Sequence, residues 1–424
     1  MSINNQLLQL VRKHYSIIII LLLALVLRLF ALYEYGLNLT LNSDDVGYTK
    51  SARVLIQTGM LTYHQIGEPT VHIMPGQSFL LALVFLIFGF EEVGLYAARV
   101  VISLFGITSI LFVYLIGKYV FNKCTGLIAA FLLAIFVPQI LTDNLLLTES
   151  PFMAGMYVLL YCSLKLANER KWSYFFGVIF SYLLCLMFRP TIALYPLVLL
   201  IYLLLKKYPL KMMLKQFLIA LVLLLIVLGP WWIRNYIHYH EFIPLSGGTG
   251  NPLLLGTYQG SGYRYGEPYD DVIKKINKEH PNISAYENMN LQKEAAIDRI
   301  KLWWKSDPKS FLRSYTIDKT IKQWNTSFYW KEIFGVKIEL MQKIHKLTMV
   351  LATISMTLSI FLYKRSLSEN VLLFGILAYF TVLNNIFFAF DRYNQPLMSI
   401  WFLFIGSIIS YFSQKTKSIF RLRS

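Results

Sequence analysis

The stretch "YSIIIILLLALVLRLFALYEY", residues 15–35, decides the fold class. A run of about 20 predominantly apolar residues is what the ~30 Å hydrocarbon core of a bilayer demands of a helix. It follows Arg12 and Lys13, and it exceeds the apolar part of a signal peptide with no small-x-small cleavage pattern behind it. The expectation is an uncleaved first span. Outward from it, the whole chain has the same character: 56% of its residues are hydrophobic and 15% charged, against roughly 25% charged in soluble domains.

Nine more apolar runs, near 95–117, 124–138, 150–167, 172–188, 191–205, 213–233, 344–363, 370–389 and 396–413, bring the expected spans to about ten. Cations fall in alternate connections: Lys118 and Lys123, "KLANERK" at 165–171, "KKYPLK" at 206–211, "YKRS" at 363–366 and the tail "QKTKSIFRLRS". The positive-inside rule makes that face cytoplasmic. It also accounts for the net charge of +17 without a nucleic-acid partner, since the basic residues form no single stripe. The segment "QSFLLALVFLIFGF" at 77–90 is too short to span comfortably and is expected as a membrane-surface helix inside the first outer loop. Cys124, Cys162 and Cys185 all lie in or beside apolar runs, so no disulfide framework or thiolate metal site is expected.

The polar clusters then share the outer face. "LNSDDVGYTKSARVLIQTG" at 41–59 carries Asp44 and Asp45; "TDNLLLTES" at 142–150 carries Asp143 and Glu149; Arg189, Arg234 and Arg392 stand at later span ends. Each alone fits a solvated loop or a snorkelling side chain. Together, acids at span ends on one face point to a shared water-filled cleft. Carboxylates beside guanidinium groups at phosphate depth suit transfer from a lipid phosphate, with a carboxylate as general base and arginines on the leaving phosphate.

In order along the chain, "DDVGY", "ARVLIQTG", "MPGQSFLLALVFLIFG", "LYAARVVISLFG", "ESPF", "FRPT", "PWWIRNY" and "DRYNQPLM" resemble the GT-C membrane glycosyltransferases of family 39. These include the protein O-mannosyltransferases and the lipid A aminoarabinose transferases of bacteria. The resemblance covers most of the chain except 238–340. It implies an all-α polytopic GT-C fold of about ten transmembrane helices, with a transmembrane module over 1–237 whose first outer loop (36–94) is catalytic. An extracytoplasmic region would follow over 238–343, then C-terminal transmembrane helices and a cytoplasmic basic tail over 344–424. It further implies inverting transfer from a polyprenyl-phosphate sugar donor, with Asp44 as base and Asp45 its acidic neighbour. Glu149, with Asp143 beside it, would orient the acceptor or link a divalent cation. Arg189, Arg234, Arg392 and His72 are the expected lipid-phosphate ligands. Two positions depart from the family: Asp45 replaces a frequent Glu, and Met74 stands where the aminoarabinose branch has Lys.

Weaker signals remain. His238, His240 and Glu241 have metal-like spacing but sit at a span end. "SGGTGNPLLLG" lacks the Lys-Ser/Thr of a nucleotide loop and reads as turns capping the site. "SAYENMNLQKEAAIDRIKLWWKSDP" is expected as a helix capped by Ser284, with a second helix over 309–325. No cofactor follows beyond an open place for a divalent ion, and the acceptor is lipid, glycan or protein. The rival classes are a flippase of a lipid-linked sugar, which would place polar groups at the bilayer midplane between repeats, and a surface-polysaccharide polymerase or ligase. The expected address is the cytoplasmic membrane, with the site on its outer side and membrane lipids around it.

Overall fold

The computed structural model describes residues 3–263 and 266–421, and among these there is no strand. Helices α1 (Ile3–Tyr35), α2 (Asp44–Thr58), α3 (Gly76–Phe88), α4 (Glu92–Val120), α5 (Lys123–Ile135), α6 (Val137–Thr142), α7 (Glu149–Glu169), α8 (Trp172–Phe188), α9 (Tyr195–Leu205) and α10 (Leu210–Tyr239) make the first part. The polar region after α10 holds α11 (Gly250–Gly256), α12 (Tyr269–Glu279), α13 (Ala285–Ser306), α14 (Pro308–Arg313) and α15 (Lys319–Trp324). Helices α16 (Ile338–Leu362), α17 (Leu367–Ile386), α18 (Asp391–Asn394) and α19 (Met398–Arg421) complete the chain.

Each of the ten expected spans is helical. Among the described residues seven stretches are long and apolar enough to cross a bilayer, and the chain is a multi-pass membrane protein. Helices α5, α8 and α9 are shorter, at 13, 17 and 11 residues. Pro138 explains the first of these, because the chain turns extended at Phe136 before restarting as α6 with the proline near its start. Helix α10 runs further than its apolar run suggests, through Pro230 and out to Tyr239. Its added turns carry Arg234, Asn235 and Tyr239 beyond the apolar part of the helix.

Helices α4, α5, α7 and α19 form the centre, with α1 on α4 and α5, and α8 on α7. Close crossing of α4 and α5 depends on facing glycines: a Cβ on Gly117 would stand 2.7 Å from the Cα of Gly126. Small residues at such crossings are how helices associate where lipid removes the hydrophobic drive.

The buried tie in this bundle is Arg28 to Asp143. Arg28 Nε donates to Asp143 Oδ2 at 2.8 Å, and Nη1 donates to the carbonyls of Ala24 and Ala134. Gln139 and Ser150 donate to the other carboxylate oxygen at 2.8 and 2.6 Å. Both charges are fully enclosed. Helix α4 passes so close that a Cβ on Gly106 would lie 2.2 Å from Asp143 Oδ2. Asp143 is therefore not the acceptor-orienting or metal-linked acid that the sequence suggested: every direction around its carboxylate is filled by protein.

The polar region after α10 is helical where the sequence suggested helices. Ser284 caps α13 in a reciprocal capping box with Glu287. The 309–325 segment is helical from α14 through a π turn at Ser314–Asp318 to α15. Trp303 is buried there and donates to Ser310, a packing role. All three cysteines are free.

Removing one partner of a dry ion pair leaves the other charge uncompensated, at a cost of about 3–5 kcal/mol, whereas replacing both by apolar residues is far cheaper. Arg28→Met and Asp143→Leu are each expected to lower the melting temperature of the detergent-solubilised chain sharply. The double variant is expected to recover most of the loss. Additive losses in that cycle would show that the two side chains do not stabilise each other.

Candidate active site

Asp44 opens α2 and Glu149 opens α7, each placing a carboxylate at a helix start, where the helix dipole favours negative charge. Arg392, in the short α18, joins them. Its Nη1 donates to Asp44 Oδ2 at 2.7 Å and its Nε to Glu149 Oε1 at 2.5 Å. Arg189, just past α8, donates through Nη1 to the same Glu149 oxygen at 3.1 Å. The Arg189 guanidinium also lies 5.2 Å from the Tyr393 ring centroid. Glu149 is almost wholly enclosed at 1% side-chain exposure, whereas Asp44 keeps 46%. Glu149 thus fixes two arginines, and Asp44 presents its carboxylate to open space.

That space is a cavity of about 190 Å³ whose walls include Asp44, Tyr48, Tyr63, His72, Arg189 and Arg392. It shares Arg189, Thr191, Ser246 and Tyr393 with a second cavity of about 410 Å³. The second cavity shares Leu194, Tyr379 and Leu383 with a groove of about 450 Å³ between α9 and α17, lined by Val198, Ile201, Phe374 and Val382. A polar chamber therefore leads into an apolar track along two helices read as spanning the membrane.

Tyr63 is the participant that the sequence did not single out. Its hydroxyl donates to Asp44 Oδ1 at 3.0 Å, and its ring packs so closely on Gly47 that a Cβ there would lie 2.8 Å away. Burial pushes the Tyr63 hydroxyl far above its ordinary pKa, with Tyr48 and Asp44 adding to the shift, so it stays a neutral donor. Tyr48, beside it, is raised by burial as well. The only sequence hint was an aromatic in the loop between α2 and α3, a position that spacing from Asp44 does not reveal.

Three expected site residues sit elsewhere or act differently. Asp45 turns away from the cavity and is buried, accepting from Thr40 Oγ1 at 2.5 Å and from the backbone N–H groups of Leu41 and Ser43. It closes the turn at 40–43, in which Asn42 takes a left-handed conformation, and that turn aims Asp44. Arg234 is not at a phosphate position: it donates to the carbonyls of Thr70 and Leu61 and lies over Trp231. With Tyr239, which donates to the Pro69 carbonyl, it pins the loop that carries Tyr63 and His72. His72 does line the polar cavity, stacked on Tyr63 with ring centroids 5.3 Å apart. Burial pushes it down to about 4, with neighbouring His64 contributing. At neutral pH it is uncharged and offers a ligand one N–H at most.

The turns of "SGGTG" cap the site, as expected. Gly247 N–H donates to the Val71 carbonyl, and Gly248 sits against His72, where a Cβ would come within 2.6 Å of Nδ1. Met74 forms part of the wall. Glu241 accepts from Tyr286 and takes no part in a metal set with His238 and His240. Among the described residues no three His, Cys, Asp or Glu side chains are grouped to hold a metal. The two acids at the site are bridged by Arg392, so a divalent ion does not fit this donor set.

Residues 69–233 match the family model described as dolichyl-phosphate-mannose-protein mannosyltransferase. That segment includes Glu149 and Arg189 but not Asp44 or Arg392. The chain is similar to the oligosaccharyltransferase AglB of Archaeoglobus fulgidus, solved with an inhibitory peptide and a dolichol-phosphate: 14% identity, 96% of this chain and 52% of that one, TM-score 0.56. The apo form of the A. fulgidus oligosaccharyltransferase matches at 13% identity, 97% and 52%, TM-score 0.51. ArnT from Cupriavidus metallidurans, bound to undecaprenyl phosphate, matches at 12%, 93% and 78%, TM-score 0.44. The comparison with curated proteins gives no match. The chain spans about half the length of the archaeal enzymes and shares their fold.

A buried neutral histidine makes stability depend on pH. The unfolded His72 titrates near its ordinary 6.5 and the folded one at about 4, so between these values the unfolded chain binds the extra proton. Stability should fall on acidification through that window, by on the order of 2–3 kcal/mol from this residue. Melting curves from pH 7.5 to 4.5 should be flatter for His72→Asn than for the parent chain. Equal slopes would mean that the ring is solvated in the folded protein.

Proposed function

We propose that the chain is an inverting glycosyltransferase that moves a sugar from a polyprenyl-phosphate carrier to an acceptor hydroxyl at the outer face of the cytoplasmic membrane. The observation that carries this reading is the continuity of three spaces: an exposed carboxylate, two guanidinium groups tethered to a buried acid, and an apolar track leading away from them. An isoprenoid chain suits the groove between α9 and α17, which places its phosphate beside Arg189 and Arg392. The sugar then lies in the polar cavity, facing Asp44. That an oligosaccharyltransferase sharing this fold was solved with a dolichol-phosphate is consistent with such a donor.

In the proposed reaction Asp44 takes the proton of the acceptor hydroxyl as its oxygen forms a bond to the anomeric carbon. The bond from that carbon to the phosphate oxygen breaks, and the phosphate leaves with the electron pair. Both Asp44 oxygens already accept one hydrogen bond, and each has a second lone pair for the incoming hydroxyl. Arg189 uses Nη1 on Glu149, and Arg392 uses Nε and Nη1 on the two acids. The other guanidinium nitrogens are left for the phosphate, whose growing charge they stabilise through charge-assisted bonds. Glu149 acts through the arginines, and Asp45 and Arg234 through the loops they hold.

A flippase is the poorer account, because the polar groups gather at one end of the bundle instead of midway between repeated halves. The acceptor is a hydroxyl-bearing lipid, glycan or protein.

Loss of a general base costs about 10²–10⁴ in rate. Asp44→Asn is expected to slow transfer of labelled sugar in membranes by that range, while a short-chain polyprenyl phosphate still binds the purified protein. Arg189→Ala should instead weaken that binding. Transfer at the parent rate by the Asp44→Asn protein would remove Asp44 as the base.

Tyr63→Phe deletes one hydrogen bond to the carboxylate, worth about 1–1.5 kcal/mol, so a rate loss near tenfold with unchanged polyprenyl-phosphate affinity is expected. A cysteine introduced at Asn42 should react with an impermeant maleimide added outside intact cells. Labelling only after lysis would place the site on the wrong face.

A further inference from the structure

Residues 308–324, comprising α14, the π turn and α15, bury Ser314, Lys319 and Gln323 on one side. The opposite side shows Leu312, Ile317 and Ile321, exposed at 51%, 56% and 57%. The spacing follows the helix, with the extra residue of the π turn between the first two. Exposed Lys309, Arg313 and Lys322 flank this apolar stripe. In water such a stripe is a liability that soluble surfaces avoid.

The buried side shows where the stripe lies relative to the bilayer. Lys319 Nζ donates to the Asn385 carbonyl at 2.8 Å, and Asn385 Nδ2 donates to Thr320 Oγ1 at 2.7 Å. One turn further along, Trp324 Nε1 donates to Thr381 Oγ1 at 3.1 Å. Helix α15 therefore descends beside the last turn of α17, from Asn385 toward Thr381, a drop of about 6 Å at 1.5 Å per residue. On that same turn of α17, Val382 and Ile386 are exposed at 58% and 48% and belong to a stretch apolar enough to cross the membrane. The stripe on α14 and α15 thus reaches the depth at which α17 presents an exposed apolar surface.

We infer that residues 308–324 form an interfacial anchor lying in the outer leaflet, with Leu312, Ile317 and Ile321 in the acyl boundary and Lys309, Arg313 and Lys322 at lipid phosphates. An apolar face rimmed by Lys and Arg is the composition that in-plane helices use. The occupant of the face is the bilayer itself. This assignment rests on the membrane-spanning character of α17 and is independent of the transferase reading. It gives the outer region a second hold on the membrane beside its chain connections, one turn from Asn384, Phe387 and Phe388 in the wall of the larger cavity.

The test uses the full chain in lipid nanodiscs, with its three cysteines replaced by alanine and one cysteine introduced at a time for an environment-sensitive fluorophore. Labels at 312, 317 and 321 should lose about half or more of their emission when the lipids carry brominated acyl chains, and should resist aqueous iodide. A label at Asp298, on the exposed side of α13, should behave in the opposite way. Quenching at the three stripe positions by iodide alone would overturn the proposal, because the stripe would then face water. Protection from both quenchers would overturn it too, because a second copy or another protein would then cover the stripe. If a labelled variant fails to fold, Ile321→Trp with the same brominated lipids, read against the parent chain, supplies the same comparison through an added indole.

Discussion

A carboxylate sealed inside a membrane protein must be compensated, and Glu149 meets that requirement by drawing in two arginines. One comes from the loop after α8 and the other from the far end of the chain, 243 residues away. Both donate to the same Glu149 oxygen, so only the loss of both would leave that buried charge unpaired, at a cost of about 3–5 kcal/mol. Because Arg392 then extends to Asp44, this one requirement brings four chain segments to a common wall. The order of exposure follows: Glu149 is enclosed, the arginines are partly covered and Asp44 is open.

The two acids of the 142–150 segment show how environment divides chemically similar residues. Asp143 and Glu149 lie six positions apart, and Ser150 contacts the former while adjoining the latter. Asp143 meets Arg28, Gln139 and Ser150 and holds α1 against the centre of the bundle. Glu149 meets arginines that border a cavity. Structural and site electrostatics thus lie side by side, and a substitution at either acid would disturb both through the 143–150 turn.

Loops at the candidate-site end of the bundle are held by helix ends. The extra turns of α10 deliver Arg234 and Tyr239 to the 61–70 strap, while Trp231 and Trp232 donate to the carbonyls of Leu245 and Pro244. One helix end therefore fixes both the loop carrying Tyr63 and the segment that covers the cavity. The polar region after α10 is fastened to α17 as well, through Lys319, Thr320 and Trp324. In the proposed reaction, holding Asp44 against an acceptor hydroxyl requires this kind of support, since small displacements of reacting groups cost rate steeply.

The amino-acid sequence by itself determined the helical membrane class, the positions of ten apolar helices and the segments that carry Asp44, Glu149, Arg189 and Arg392. Apolar run length and cation placement are one-dimensional signals that a bilayer imposes directly. It also pointed to the Ser284 cap, since capping is a matter of residues three apart. Only the tertiary structure decided that Asp45 closes a turn, that Asp143 is locked to Arg28, that Arg234 supports a loop and that Tyr63 reaches Asp44. The last three depend on which lone pair or N–H meets which partner across 19 to 173 residues of chain, and the Asp45 turn on which way its side chain faces. Spacing along the chain carries no record of such encounters, because they are settled by packing and by the cost of leaving buried polar atoms unpaired.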